Sequence, residues 1–141
     1  MKQEEKDLLL KDLCARLPYN NLKVRGVFFN YNKDINRCQY EECDREFKYD
    51  DLKHYESLKP YLLPLSSMTD EMWDKEFREY GITEFTRDSF KYGCETLEFH
   101  DSNSNLSNTI NFINKLLKNH FDIYGLIPMG LAIDATGLKI Y

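Results

Sequence analysis

Two of the three histidines of this chain lie close to aspartates, a pairing that can support acid–base or metal chemistry. His100 is followed by Asp101, and His120 lies two residues before Asp122. A histidine with a nearby carboxylate can act as a general base or as a metal ligand. The four residues would form a metal site if their segments met in the fold. We expect simpler roles, in which His120 bonds free carbonyl groups at a helix end and His100 ends a strand at the surface.

The four cysteines offer a second possible metal site. Cys38 and Cys43 are spaced C-x4-C, His54 follows eleven residues after Cys43, and Cys94 could complete a tetrahedron. Zinc sites usually have closer, repeated cysteine pairs, so we predict no bound metal and keep these four residues as candidate ligands. Cys14 falls on an apolar helical stripe, and we predict that it is a core residue.

No sequence motif of a catalytic or cofactor site is present. The six glycines form neither a G-x-G-x-x-G pattern nor a phosphate-binding loop, and neither G-x-S-x-G nor H-E-x-x-H occurs. We therefore name no catalytic residue and no cofactor, and we expect that the protein is not an enzyme. A metal-dependent enzyme that uses the histidines remains an alternative.

Tyrosine, serine and arginine side chains supply the candidate binding residues. The chain has ten tyrosines, and tyrosine and arginine are over-represented at protein interfaces. Paired serines could donate hydrogen bonds to a ligand or could serve only to form a turn. An AT-rich genome would also raise the tyrosine count. The candidate binding residues are Tyr61, Ser66, Ser67, Arg25 and Tyr124.

Charge and hydropathy narrow the classes of protein to consider. The net charge is +3 over residues 1–40, −9 over residues 41–103 and +1 over residues 104–141. No basic cluster is large enough for general nucleic-acid binding. The acidic middle could meet a basic partner or could be a solvated face. With no apolar run near the ~18 residues of a membrane span and no signal peptide, we expect a cytoplasmic protein that does not bind membranes.

Hydrophobic periodicity predicts a first helix and then several strands. The helix covers residues 2–17 and ends at Pro18. Its apolar stripe is predicted to contain Leu10, Leu13, Cys14 and Leu17, with Leu9 beside them. A strand follows at residues 22–31, where Gly26 suggests a bulge or a close backbone approach. Two shorter strands are predicted at residues 35–40 and 45–49, followed by a short helix that Pro60 ends.

The stretch ESLKPYLLPLSSMTDEMW, residues 56–73, raises the choice between a ligand-binding loop and an elbow between two packed elements. Its two prolines hold the chain extended, and Thr69 is predicted to cap a helix that begins at Asp70. Trp73, Phe77 and Tyr80 would form the buried stripe of that helix, and Gly81 would end it. We therefore interpret the stretch as an elbow.

The C-terminal part is predicted to contain two strands, at residues 82–87 and 95–100, and a helix at residues 106–119. The buried face of this helix is assigned to Leu106, Ile110, Ile113 and Leu117, widened by Phe112 and Leu116. The tail is expected to form a turn, a short helix and a packed end. The whole chain, residues 1–141, is predicted to be one small α+β domain, with about three helices packed on a mostly antiparallel sheet.

Three blocks of the sequence together resemble a known family. They are LLLKDLCARLPY at residues 8–19, KPYLLPLSSMT at residues 59–69 and NHFDIYGLIPMGLAIDA at residues 119–135. The blocks resemble small uncharacterised proteins of gut Bacteroidales, their prophages and phages. Leu63 and Tyr124 stand where that family often has arginine. The resemblance implies a phage or mobile-element accessory protein, and it implies no activity or site residue.

Two hypotheses for the function follow. The first is a non-catalytic protein that binds a host or phage protein, which predicts an exposed apolar or aromatic patch. The second is a small-molecule binder, such as a protein that sequesters a nucleotide signal. It predicts a concave pocket lined by tyrosine and phenylalanine, with Arg25, Arg37, Arg45 or Lys23 at its rim. The oligomeric state is not predicted.

Overall fold

The computed structural model describes residues 1–19, 21–32, 37–77 and 106–141. They cluster into two compact units, Met1–Tyr61 and Leu62–Tyr141. The described elements are α1 (Gln3–Arg16), a 3-10 turn (Leu17–Tyr19), β1 (Lys23–Asn32), β2 (Arg37–Glu46), a 3-10 helix (Tyr49–Ser57), β3 (Lys59–Leu62), a 3-10 turn (Leu65–Ser67), α2 (Asp70–Met72), a π-helical turn (Trp73–Phe77), α3 (Leu106–Lys118) and β4 (Ile133–Asp134).

The strand order is β2-β1-β3-β4, and both neighbours of β1 pair with it in the antiparallel sense. The predicted α+β class is therefore confirmed. The strands predicted at residues 82–87 and 95–100, together with Tyr80 and Gly81, lie outside the described residues. Among the described residues, no helix combines the length and the apolar character needed to cross a membrane.

The buried face of α1 is shifted by one position from the predicted stripe. Its buried residues are Leu9, Asp12, Leu13 and Arg16, whereas Cys14 is exposed, so the prediction of a core cysteine was wrong. The shift has a physical cause, because two charged residues one helical turn apart neutralise each other within the stripe. The Arg16 Nε donates to Asp12 Oδ2 at 2.7 Å, and its second nitrogen donates to Oδ1 at 2.8 Å.

A long hairpin follows α1. β1 and β2 pair over their full length, from Lys23 opposite Glu46 to Asn32 opposite Arg37. The prediction of two short strands in place of β2 was wrong, since one strand runs through residues 37–46. The polar run between the predicted strands has low β propensity, but cross-strand pairing overrides it.

Gly26 of β1 explains how the hairpin packs within its unit. A Cβ atom at this position would lie 2.6 Å from Leu58 Cδ2, and Leu58 is buried. The absence of a side chain therefore lets the Leu58 side chain pack against the strand. The register of β1 with β2 is continuous through Gly26, so no bulge is present there. Leu58 follows the 3-10 helix at residues 49–57, where the sequence predicted a short helix.

The second unit contains most of the predicted elbow. The backbone of Leu63 pairs with the segment after α3: its N–H donates to His120 O, and its carbonyl accepts from Asp122 N, both at 2.8 Å. Thr69 Oγ1 then accepts from Met72 N at 3.2 Å, so the predicted helix cap is confirmed. The helix changes to π geometry after Met72.

Aromatic rings form the core of the second unit. Phe77 and Phe112 lie with ring centroids 5.3 Å apart in an edge-to-face arrangement, and Phe121 lies 6.4 Å from Phe77. Ile110, predicted to be buried, is 48% exposed, because the buried face of α3 centres on Phe112 and Leu116. In place of the short helix predicted in the tail, residues 119–141 form turns and β4.

Candidate functional site

One face of the hairpin carries exposed apolar residues. Successive side chains of a strand point to opposite faces of a sheet, so Val27 and Phe29 share a face with Tyr40, which pairs directly with Phe29. Val27 is 52% exposed, Phe29 56% and Tyr40 74%. The Phe29 and Tyr40 rings pack edge to face with centroids 5.2 Å apart. We call Val27, Phe29 and Tyr40 the hairpin patch.

A cavity of about 460 Å³ in the first unit has the hairpin patch as part of its wall. Its volume falls within the range of small-molecule sites. Aromatic, apolar and polar side chains all contribute to its walls. The lining residues are Val27, Phe28, Phe29, Tyr40, Arg45, Asp51, His54, Ser57 and Leu58.

Arg45 is the cation of this cavity, and two contacts hold it in place. Its guanidinium carbon lies 3.6 Å from the centroid of the Phe28 ring, a cation–π contact. A guanidinium nitrogen also forms an ion pair with the buried Asp51. The other carboxylate oxygen of Asp51 accepts from Lys48 N at 2.8 Å. The positive charge of Arg45 is therefore largely compensated within the protein.

Arg25, Asp44 and Tyr61 form a hydrogen-bonded group that contains two of the predicted binding residues, Arg25 and Tyr61. Arg25 Nε donates to Asp44 Oδ1 at 2.9 Å, its second nitrogen donates to Oδ2 at 3.2 Å, and the Tyr61 hydroxyl donates to Oδ1 at 2.9 Å. The hydrogen bond from Arg25 lowers the pKa of the Asp44 carboxyl below its ordinary value. Burial, and then the hydrogen bond to Asp44, raises the pKa of Tyr61. Sequence reasoning named Arg25 and Tyr61 but missed Asp44, which links them.

The other predicted binding residues belong to the second unit. Ser67 Oγ donates to Pro64 O at 2.7 Å and so closes a turn, as the simpler interpretation of the serines expected. Ser66 is exposed, and Tyr124 is half-buried. Of the predicted rim cations, Arg45 lines the cavity, whereas Arg25 and Lys23 are not among its lining residues.

The candidate metal ligands do not come together in the part of the chain that the structure describes. No group of three histidine, cysteine, aspartate or glutamate residues there could hold an ion. Cys43 is half-buried and His54 exposed. The side chain of Cys38 and the whole of Cys94 lie outside the described residues.

The proposed pairing of two histidines and two aspartates falls partly outside the described residues as well, since His100 and Asp101 are not among them. His120 follows the end of α3, is buried, and stacks on Tyr141 with ring centroids 3.5 Å apart. The carboxylate of Asp122 accepts from Leu126 N at 2.9 Å and from Ile127 N at 2.8 Å. Asp122 therefore fixes the turn that follows it.

β2 also carries exposed carboxylates that sequence reasoning had treated only as part of an acidic region. Glu42 shares its face with the hairpin patch, and Glu41 lies on the opposite face; both are exposed. The alternation of the strand was the signal that could have placed Glu42 on the same face as Tyr40, whereas its position opposite Val27 depends on the register of the hairpin.

Comparison with known proteins adds no relative. No protein-family model matches the chain, and no match is found among curated proteins or among solved structures. A function for the chain must therefore be argued from its own residues.

Proposed function

We propose that this is a non-catalytic binding protein that contacts a protein partner through the hairpin patch. The observation that carries the proposal is the exposure of Phe29 and Tyr40 as a packed aromatic pair at the surface. In keeping with the resemblance noted above, we propose that it is an accessory protein of phage or mobile-element origin. Its partner would then be a host or phage protein in the cytoplasm of the host cell.

The energetics of the hairpin patch favour this use. Full burial of a large apolar side chain stabilises a complex by roughly 1.5–3 kcal/mol. Phe29 and Tyr40 are already held against each other, so little side-chain entropy is lost when a partner covers them. Aromatic residues of this kind dominate the binding energy of many protein interfaces.

The test compares two double variants that remove exposed apolar side chains from different places. Phe29→Ser with Tyr40→Ser removes the aromatic pair, and Tyr49→Ser with Leu138→Ser is the matched control, because Tyr49 is 74% and Leu138 50% exposed. A partner is first identified by crosslinking in the native host, and its affinity for each variant is then measured by calorimetry. We expect a loss of at least tenfold for the first variant and little change for the control. Equal affinities for the two variants would exclude the hairpin patch as the contact surface.

A small-molecule binder is the second candidate, and the cavity is the observation that favours it. Its walls contain Phe28, Phe29 and Tyr40, with Arg45 among the polar residues, which matches the kind of pocket expected for a nucleotide-like ligand. A ligand that binds only the folded protein raises its thermal midpoint. Adenosine and guanosine mono- and triphosphates at millimolar concentration should raise the midpoint of the wild type and should raise that of Tyr40→Ser less. No shift with any of them would exclude nucleotide binding in the cavity.

A further inference from the structure

β2 is an edge strand in the described part of the chain. β1 pairs with one side of β2, and no described strand pairs with its other side. All residues of the segment 40–46 are exposed except Cys43, which is half-buried. The free side of an edge strand presents backbone N–H and C=O groups that can pair with another chain.

The charge of this edge is negative. Three cations of the hairpin have described side chains, and each already has a carboxylate partner: Lys23 pairs with Glu46, Arg25 with Asp44 and Arg45 with Asp51. Glu41 and Glu42 remain exposed, and no ion pair joins either of them to a residue that the structure describes. An incoming chain therefore meets two exposed carboxylates, one on each face of β2, that form no ion pair with a described residue.

We propose that a basic, extended segment of the partner adds to the sheet along residues 40–46 of β2. This inference rests on the proposed function, and it names the chemistry of the partner. Backbone hydrogen bonds to the free side of β2 supply affinity, as in other cases of strand addition. Arginine or lysine side chains on the two faces of the added strand pair with Glu41 and Glu42.

The aromatic pair favours the same kind of partner. Tyr40 begins the segment, and its ring lies on the same face of the hairpin as Glu42. A cation held above an aromatic ring is attracted by the ring's electrons, so a guanidinium that pairs with Glu42 can also contact Tyr40. Val27 lies directly opposite Glu42 on β1, so it can contact the aliphatic stem of the same side chain.

The same carboxylates disfavour a second copy of this chain as the occupant. Two β2 edges placed side by side would bring Glu41 and Glu42 of one copy close to those of the other. Like charges brought together at an interface are strongly unfavourable, and charged side chains on edge strands commonly prevent self-association. The edge of β2 therefore favours a basic strand over the β2 edge of a second copy.

The test uses a fluorescent peptide as long as the segment 40–46, in which adjacent pairs of arginines alternate with pairs of threonines, so that each face of the added strand carries arginine. Its affinity is measured by fluorescence anisotropy at physiological ionic strength, together with a peptide in which glutamate replaces every arginine. The wild type should bind the arginine peptide and not the glutamate peptide. Glu41→Lys with Glu42→Lys should bind the arginine peptide at least about tenfold more weakly and should gain affinity for the glutamate peptide.

Two controls separate strand addition from general charge attraction. Glu71→Lys with Asp74→Lys makes the same change in net charge at exposed positions of the second unit, and this variant should keep the preference of the wild type. An arginine peptide with alternate backbone nitrogens methylated keeps its charge but cannot donate all of the hydrogen bonds between its backbone and β2. It should bind at least tenfold more weakly. Amide hydrogens of residues 40–46 should exchange more slowly when the unmodified peptide is bound.

The possible failures have different meanings. Equal binding of the methylated and unmodified peptides, or equal weakening by both pairs of lysine substitutions, would overturn strand addition to β2. Dimerisation of the wild type that disappears in Glu41→Lys with Glu42→Lys would also overturn it, in favour of a second copy. If the arginine peptide does not bind, but the native partner still depends on Phe29 and Tyr40, the inference fails while the proposed function stands.

Discussion

The two units use their aromatic residues in opposite ways. In the second unit, Phe77, Phe112 and Phe121 are fully buried and contact one another. In the first unit, Phe28 is buried, but Phe29 and Tyr40 remain more than half exposed. The same kind of side chain is therefore buried in the core of one unit and left exposed on the other. The high aromatic content of the chain cannot by itself distinguish these two roles.

The largest expected effect comes from truncating an aromatic residue in the second unit. Phe112→Ala removes a ring with no exposed surface that contacts both Phe77 and Trp73. It should lower the free energy of unfolding by about 3–5 kcal/mol, because it leaves a cavity in the core. Phe29→Ala should lower it by no more than about 1 kcal/mol, since only a cross-strand pair is lost.

Urea denaturation followed by circular dichroism measures both changes. Similar losses of unfolding free energy for Phe112→Ala and Phe29→Ala would contradict the contrast between the two units, because Phe29 would then be a structural residue. In that case the exposure of Phe29 would no longer indicate a contact surface.

A second, smaller effect tests how Leu58 packs against β1 in the first unit. Gly26→Ala places a methyl group in the space that Leu58 occupies, so it should cost about 1–3 kcal/mol of unfolding free energy through overpacking. The effect should depend on Leu58. In the double variant with Leu58→Ala, the cost of the alanine at position 26 should largely disappear, which a double-mutant cycle measures. Additive costs would show that the two residues do not press on each other.

The sequence predicted elements better than it predicted faces. The first helix and the Thr69 cap follow from local signals, and both are confirmed. The buried stripe of α1 was misplaced because Asp12 and Arg16 look like surface residues until they are seen to neutralise each other. Similarly, adjacent aromatic residues such as Phe28 and Phe29 have the same propensity, and only the packing of the hairpin decides which one faces the core.

The candidate site was only partly predictable for a related reason. Arg25 and Tyr61 could be proposed from their residue types, but the carboxylate that joins them is 19 residues from one and 17 from the other along the chain. This contact depends on the register of β2, which the sequence divided into two strands. The hairpin patch and the edge position of β2 among the described strands depend on the same register and were missed with it.

The smallest expected effect is the pH dependence of the Arg25, Asp44 and Tyr61 group. The pKa of Asp44 is lowered in the folded protein, mainly by the hydrogen bond from Arg25. Its stabilising effect is therefore present above the unfolded value of about 3.9 and is lost as the pH falls through the folded pKa. The pKa of Tyr61 is raised by burial and by Asp44, so its contribution is present below about 10 and is lost as the pH rises through the folded value.

Comparison of Asp44→Asn and Tyr61→Phe with the wild type separates these two limits. Unfolding free energy is measured by denaturant titration across the pH range. The asparagine variant should lose part of the acid dependence, and the phenylalanine variant should lose part of the alkaline dependence. Glu76 of the second unit also has a lowered pKa, because it accepts a hydrogen bond from Lys115. Glu76→Gln therefore shows how much of the loss of unfolding free energy in acid comes from the second unit. The loss of unfolding free energy in acid could be unchanged by Asp44→Asn and removed by Glu76→Gln. That result would mean that solvent screens the Arg25, Asp44 and Tyr61 group almost completely. The polar pairs of the first unit would then contribute orientation rather than stability.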